Sequence, residues 1–78
     1  MPKKQLLEES DLGRVAKEFR LGAGKNRTDA ARELGVARPS LIQAEDSPER
    51  PLVNLRKRII EKYSPYKVRG PLYALEKK

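Results

Sequence analysis

A chain of 78 residues is long enough for one domain on a small apolar core and for little else. It has no cysteine and no histidine, so disulfides, thiolate metal sites and the commonest metal ligand and general base are all missing, and neither an enzyme nor a cofactor or metal site is expected. Eighteen Lys and Arg against eleven Asp and Glu give a net charge of +7, no apolar run approaches the roughly 20 residues that span a bilayer, and "MPKKQLLEESD" carries no signal-peptide stretch, so a cytoplasmic protein of bacterial or phage type, without a membrane partner, is expected.

Residues 1–9 read as a loosely held arm, although Leu6 and Leu7 can pack back on the domain. Ser10 or Asp11 is placed to cap a first helix, whose apolar residues Leu12, Val15, Ala16 and Phe19 recur at helical spacing until the glycines of "LGAG" let the chain turn. Asn26 offers a second cap. "RTDAAREL" then presents Ala30, Ala31 and Leu34 on one face before Gly35 closes the helix in the left-handed conformation, and Val36 drops toward the core.

Proline is welcome in the first turn of a helix, where its missing N–H has no intrahelical partner, and it turns the residue before it away from helical geometry. A third helix is therefore expected from about Pro39, with Arg38 in the capping position, Leu41 and Ala44 inward, and Ser40, Ile42 and Gln43 outside. "EDSPERP" is loop chemistry. A fourth helix, "LVNLRKRIIEKY", carries the seam Leu52, Leu55, Ile59 and Tyr63, with Arg56, Lys57 and Lys62 largely off it. In "SPYKVRGPLYALEKK", Pro65, Gly70 and Pro71 forbid a continuous helix, which leaves a loop followed by a short strand in "PLYALEK". A lone strand must pair or fray. Either two copies pair across a two-fold axis through Leu72, Tyr73 and Leu75, with Val53 and Ile60 as exposed supporting contacts, or the segment is a disordered basic tail.

Charge is unevenly spread. Residues 1–26 carry six positive and four negative groups, residues 27–50 four and five, and residues 51–78 eight and two. A polyanion suits such a surface, nucleic acid more than membrane, because no strongly amphipathic basic helix with an aromatic face is present.

"NRTDAARELGVARPSLIQAED" resembles the helix-turn-helix of the phage-repressor or Cro-like group, the XRE family, through Ala31, Leu34, Gly35, Val36, Leu41 and Glu45. The resemblance extends over about residues 11 to 63. It implies an all-α fold: a compact, four- to five-helix, lambda-repressor-like DNA-binding domain over residues 10–63, with a short C-terminal extended strand or tail over residues 64–78 as a possible dimerisation segment. It also implies a structural ion pair between Arg20, late in helix one, and Glu45. Three positions depart from the family pattern. Ala37 replaces the usual Ser or Thr cap, which a helix starting at Pro39 explains; Ala44 implies a slimmer core; Pro39 stands where relatives carry a polar base-contacting residue, which reduces the side chains that read bases.

The docking that the resemblance implies lays helix three, about residues 38–45, in the major groove with helix two over the backbone. Arg38 then has guanine within reach and Gln43 adenine, while Ser40 and Pro39 complete the base-facing set. Arg27 and Thr28 at the start of helix two, and Arg50, Asn54 and Lys57 around the start of helix four, are the phosphate candidates. The expected function is that of a sequence-specific double-stranded DNA-binding regulator, a repressor in type, acting as a homodimer on a pseudo-palindromic operator. The alternative is an antitoxin-like module that binds a protein toxin and autoregulates its operon. An RNA-binding role is permitted by the charge, but one phenylalanine and three late tyrosines make a poor stacking platform.

Overall fold

The computed structural model describes residues 5–69 and 73–78. The elements run β1 (Gln5–Leu7), α1 (Glu9–Gly22), α2 (Arg27–Leu34), α3 (Arg38–Asp46), α4 (Val53–Tyr63), β2 (Tyr66–Arg69) and β3 (Tyr73–Lys77). The domain is mostly helical, as expected, but it is not all-α: a three-stranded antiparallel sheet completes it.

Helix α1 starts at Glu9, two or three residues earlier than a Ser10 or Asp11 cap implies. Glu8 precedes it, and the Glu8 N–H donates to the Asp11 carboxylate at 3.2 Å, so Asp11 works from inside the first turn rather than ahead of it. Leu12, Val15 and Ala16 are buried and Phe19 is half-buried, and Gly24, at φ 74°, turns the chain.

Helix α2 follows the expected punctuation. The Asn26 side chain accepts the Asp29 N–H at 2.7 Å. At the far end Gly35 adopts φ 71°, so that its N–H and that of Val36 reach back to the carbonyls of Arg32 and Ala31 at 3.2 and 3.0 Å. Asn26→Ala removes the cap and is expected to cost about 1 kcal/mol, read as a lower urea midpoint with an unchanged slope.

Helix α3 begins one residue earlier than Pro39: Ala37 precedes it and Arg38 is its first residue, with Pro39 second, where a missing N–H still costs nothing. Leu41 and Ala44 are buried as the spacing required, and Ile42 is half-buried rather than exposed. In α4, Leu55 and Ile59 are buried. So are Ile60, expected at the surface, and Arg56, expected off the seam. Helix α1 packs mainly on α4 and also on α3, while α2 packs on α3.

The carboxyl-terminal segment differs most from expectation. Where a loop was expected, Tyr66–Arg69 form β2. Where an arm was expected, Gln5–Leu7 form β1, and β3 lies between the two. Val68 faces Leu75 across β2 and β3, and Gln5 faces the same Leu75 from β1. Leu75 is 4% exposed and joins Val68 in the core formed by Leu12, Leu41, Ile59 and Ile60, with Tyr73 packed against its rim. Both edges of β3 are therefore occupied within the chain and Leu75 is spent on its own core, so β3 does not offer the free edge that two-copy pairing through Tyr73 and Leu75 called for. Leu72 lies outside the described residues. Val53 is half-buried and Ile60 fully buried, so neither is the exposed contact expected.

The outer edge of β2 is also engaged. The Tyr66 N–H donates to Ser64 Oγ at 3.1 Å and the Val68 N–H to a Glu61 carboxylate oxygen at 3.2 Å, so α4 and its end blunt that edge against further strands. Phe19 and Tyr66 seal the junction of α1 and β2, with ring centroids 5.9 Å apart. A surface triad ties α2 to the end of α4. Lys25 Nζ lies 2.9 Å from Glu33 and the Tyr63 hydroxyl donates to it at 2.7 Å. Lys25 and then Tyr63 hold the Glu33 carboxyl below its usual range, while burial and the same bond push the Tyr63 hydroxyl up. Among the described residues no helix is long and apolar enough to cross a membrane.

Candidate nucleic-acid interface

Taken alone, α3 is a poor helix. It has nine residues, an alanine where a capping side chain would stand, and no basic residue in its last turn. That last turn holds Glu45 and Asp46 instead, at the negative end of the helix dipole where carboxylates are unfavourable. Neighbouring helices supply the missing cations. Arg20 of α1 grips Glu45 with two parallel bonds, Nε to Oε2 at 2.6 Å and Nη2 to Oε1 at 2.9 Å, with both side chains buried. This is the expected structural pair. Its third donor, Nη1, binds the Lys25 carbonyl at 2.7 Å and so also orders the α1–α2 turn.

Arg27 of α2 reaches Asp46 at 2.7 Å and Glu45 at 3.5 Å, and Lys17 of α1 reaches Asp46 at 3.6 Å. From α4, Arg56 Nε donates to the Ala44 carbonyl at 2.8 Å and Nη2 to the Ser47 carbonyl at 2.7 Å. The carboxyl end of α3 is thus held by α1, α2 and α4 together, and its amino end is the part that projects.

The projecting surface carries most of the expected base-reading side chains. Arg38, Pro39 and Gln43 are exposed on α3, and Arg38 has no carboxylate partner among the described residues. Ser40 departs from expectation. It is half-buried and lines an open groove of about 700 Å³ with Val36, Leu52, Val53 and Asn54, so it faces the start of α4 rather than the outward surface of Arg38 and Gln43.

The phosphate candidates divide. Arg27 is committed to Asp46 and Glu45 and does not present a free guanidinium. Thr28 is exposed in the first turn of α2. Arg50, in the loop after α3, is exposed and Lys57 is half-buried on α4; among the described residues neither has an anionic partner. Asn54 is exposed and borders the same groove as Ser40. Arg38, Arg50 and Lys57 are therefore the cations of the expected set left available to an external anion.

Three structural residues were missed by reading the sequence. Arg56 is 0% exposed although it sits in the run "RKR"; its position four after Leu52 and three before Ile59 was the signal that it shares their face. Arg58 of the same run donates to the Leu34 carbonyl and so completes the end of α2. Gly13 lets α1 approach the end of α3, and nothing in its local sequence marks it. Compared with protein-family models, with curated proteins and with solved structures, the chain matches none of them.

Proposed function

We propose that the chain is a double-stranded DNA-binding domain of helix-turn-helix type, in which α3 enters the major groove and α2 lies across its rim. The observation that carries this reading is the outward surface of α3. Arg38 and Gln43, one able to bond guanine and the other adenine bidentately, are exposed and, among the described residues, unpaired on a short helix whose carboxyl end α1, α2 and α4 hold. The chemistry around it agrees. The two carboxylates of α3, Glu45 and Asp46, are engaged by internal cations, whereas among the described residues Arg38, Arg50 and Lys57 have no anionic partner and remain available to a polyanion.

Pro39 supplies an apolar contact suited to a thymine methyl group and no hydrogen bond. The base-reading set is then small, and a few base pairs per half-site is its natural reach. Regulation by occupancy of an operator, as a repressor, is the simplest use of such a domain. Binding as a two-fold dimer would place two α3 helices about 34 Å apart on one face of the duplex, with the contact between copies outside β3, whose edges are already occupied. The antitoxin-like alternative called for a carboxyl-terminal segment that orders on a partner; Tyr73–Lys77 already form the middle strand of the chain's own sheet, so no observation favours it.

Selection of binding sites from a randomised duplex library at near-physiological salt tests the reading. An enriched motif is expected, and an inverted repeat with half-sites one helical turn apart would establish the dimer, while a single half-site would establish a monomer. Binding to any duplex without enrichment, abolished by salt, would leave charge alone as the explanation and sink the proposal. On the enriched site, Arg38→Ala is expected to lower affinity by roughly 1–3 kcal/mol and to relax preference at one base pair. Equal losses on the selected and random duplexes would instead make Arg38 a phosphate contact.

A further inference from the structure

Arg56 is the largest fully buried side chain of the domain, at 0% exposure, and no carboxylate pairs with it among the described residues. A buried cation is costly unless its donors are satisfied, and an apolar side chain of similar volume would fill the same space without that cost. Stability alone therefore does not account for an arginine here. What a guanidinium adds is direction: a planar fork of donors fixed relative to one another, which a lysine ammonium on its flexible stem does not have. In this domain the fork spans two carbonyls, Ala44 in the last turn of α3 and Ser47 just beyond it.

The Ser47 carbonyl also accepts the Arg50 N–H at 3.0 Å, so the same anchor ties the loop that carries Arg50. Two residues along α4, Arg58 holds the Leu34 carbonyl at the end of α2. The first turns of α4 thus fix the carboxyl ends of both α2 and α3. At the amino end of α3 Ala37 offers no side-chain cap, so that end is held by the packing of Val36 and Leu41 rather than by a directed side-chain bond.

From these contacts we propose that Arg56 is a positioning residue, which sets the tilt of α3 through its carboxyl-terminal carbonyls and so sets where Arg38, in the first turn, stands. A lever argument gives the scale. From Ala44 back to Arg38 the helix rises about 9 Å, so a tilt of about 10° at the anchored end moves the first turn by about 1.5 Å, beyond the distance tolerance of a hydrogen bond. The consequence for base reading rests on the DNA-binding function proposed above; the orientation of α3 does not.

The test uses the full chain with Arg56→Met and Arg56→Lys and takes two readouts. The first is the set of backbone N–H residual dipolar couplings in the free protein, which report the orientation of α3 relative to α1 and α4. The second is the ratio of affinities for the selected site and for a random duplex, with the salt dependence of random-duplex binding. For Arg56→Met we expect couplings in α1 and α4 that still fit one frame and couplings in α3 that leave it. The affinity ratio is expected to fall about tenfold, comparable to one lost base-pair contact, with the salt dependence unchanged. Arg56→Lys keeps the charge but loses the fork, and is expected to shift α3 in the same sense by less.

A folded Arg56→Met protein with wild-type couplings in α3 and an unchanged ratio overturns the proposal. If the methionine variant does not fold, wild-type couplings in Arg56→Lys overturn it instead. Should the wild-type chain show no preference among duplexes, the DNA reading fails by itself, and the couplings still decide the role of Arg56.

Discussion

Glu45→Ala is expected to lower the unfolding free energy by about 3–5 kcal/mol, the range for breaking a buried ion pair by removing one partner. Arg20 is 3% exposed, and without Glu45 two of its bonds vanish, leaving only the Lys25 carbonyl to satisfy it. Arg27 loses its 3.5 Å contact in the same substitution, and α1 is released from the end of α3. Domains of this kind have roughly 5–15 kcal/mol in total, so the substitution removes a large share of the stability. Urea denaturation followed by circular dichroism measures the loss directly.

The double replacement Arg20→Met with Glu45→Leu removes both charges and refills the volume, and most of the lost stability is expected to return. Stability and DNA binding would then separate. A loss below about 1 kcal/mol in Glu45→Ala would show that water reaches Arg20 and that the pair behaves like a surface bridge.

The parts of this fold that were legible in the sequence are those coded locally. Asn26, Gly35 and Pro39 each impose a backbone geometry through their own chemistry, and the boundaries of α2 and α3 fell within a residue of where they pointed. The 3.6-residue spacing of Leu12, Val15 and Ala16, and of Leu55 and Ile59, placed the buried faces of α1 and α4. The parts that were not legible depend on partners distant in the chain. Tyr66–Arg69 lie between Pro65 and Gly70 and look like a loop until β3 is beside them, and the three residues of β1 have no pattern at all without β3.

The candidate interface divides in the same way. Arg38 and Gln43 were readable as outward positions on a helix, whereas the turning of Ser40 toward Leu52 and Asn54 depends on how α3 lies on α4. The engagement of Arg27 by Asp46 likewise depends on α2 and α3 being docked. Arg56 is the instructive miss: helical spacing pointed inward, residue type pointed outward, and the free carbonyls at the end of α3 decided between them.

Gly13→Ala is expected to destabilise the domain by about 1–3 kcal/mol, against the sign that helix propensity alone predicts. In an unobstructed helix interior alanine is more favourable than glycine by about 1 kcal/mol. At Gly13, however, an added Cβ would lie 2.6 Å from the Ala44 carbonyl oxygen and 2.9 Å from that of Glu45. Both atoms are backbone, and neither can swing away as a side chain would. The segment they belong to is pinned by Arg56 at Ala44 and by Arg20 at Glu45, so α1 and α3 must separate, which strains those bonds and opens the core beside Leu12 and Leu41. Gly13→Val, with two further methyl groups in the same gap, should reach or exceed the upper end of that range. Gly22, the last residue of α1, has nothing within 4 Å of the position its Cβ would take, and Gly22→Ala is the control, expected to be neutral or slightly stabilising. Opposite signs for these two alanine substitutions on one helix, measured by urea denaturation, would show that close contact between α1 and the end of α3 sets the cost. A stabilised Gly13→Ala protein would mean that the two helices stand further apart, and the anchoring of α3 would then rest on its charged contacts alone.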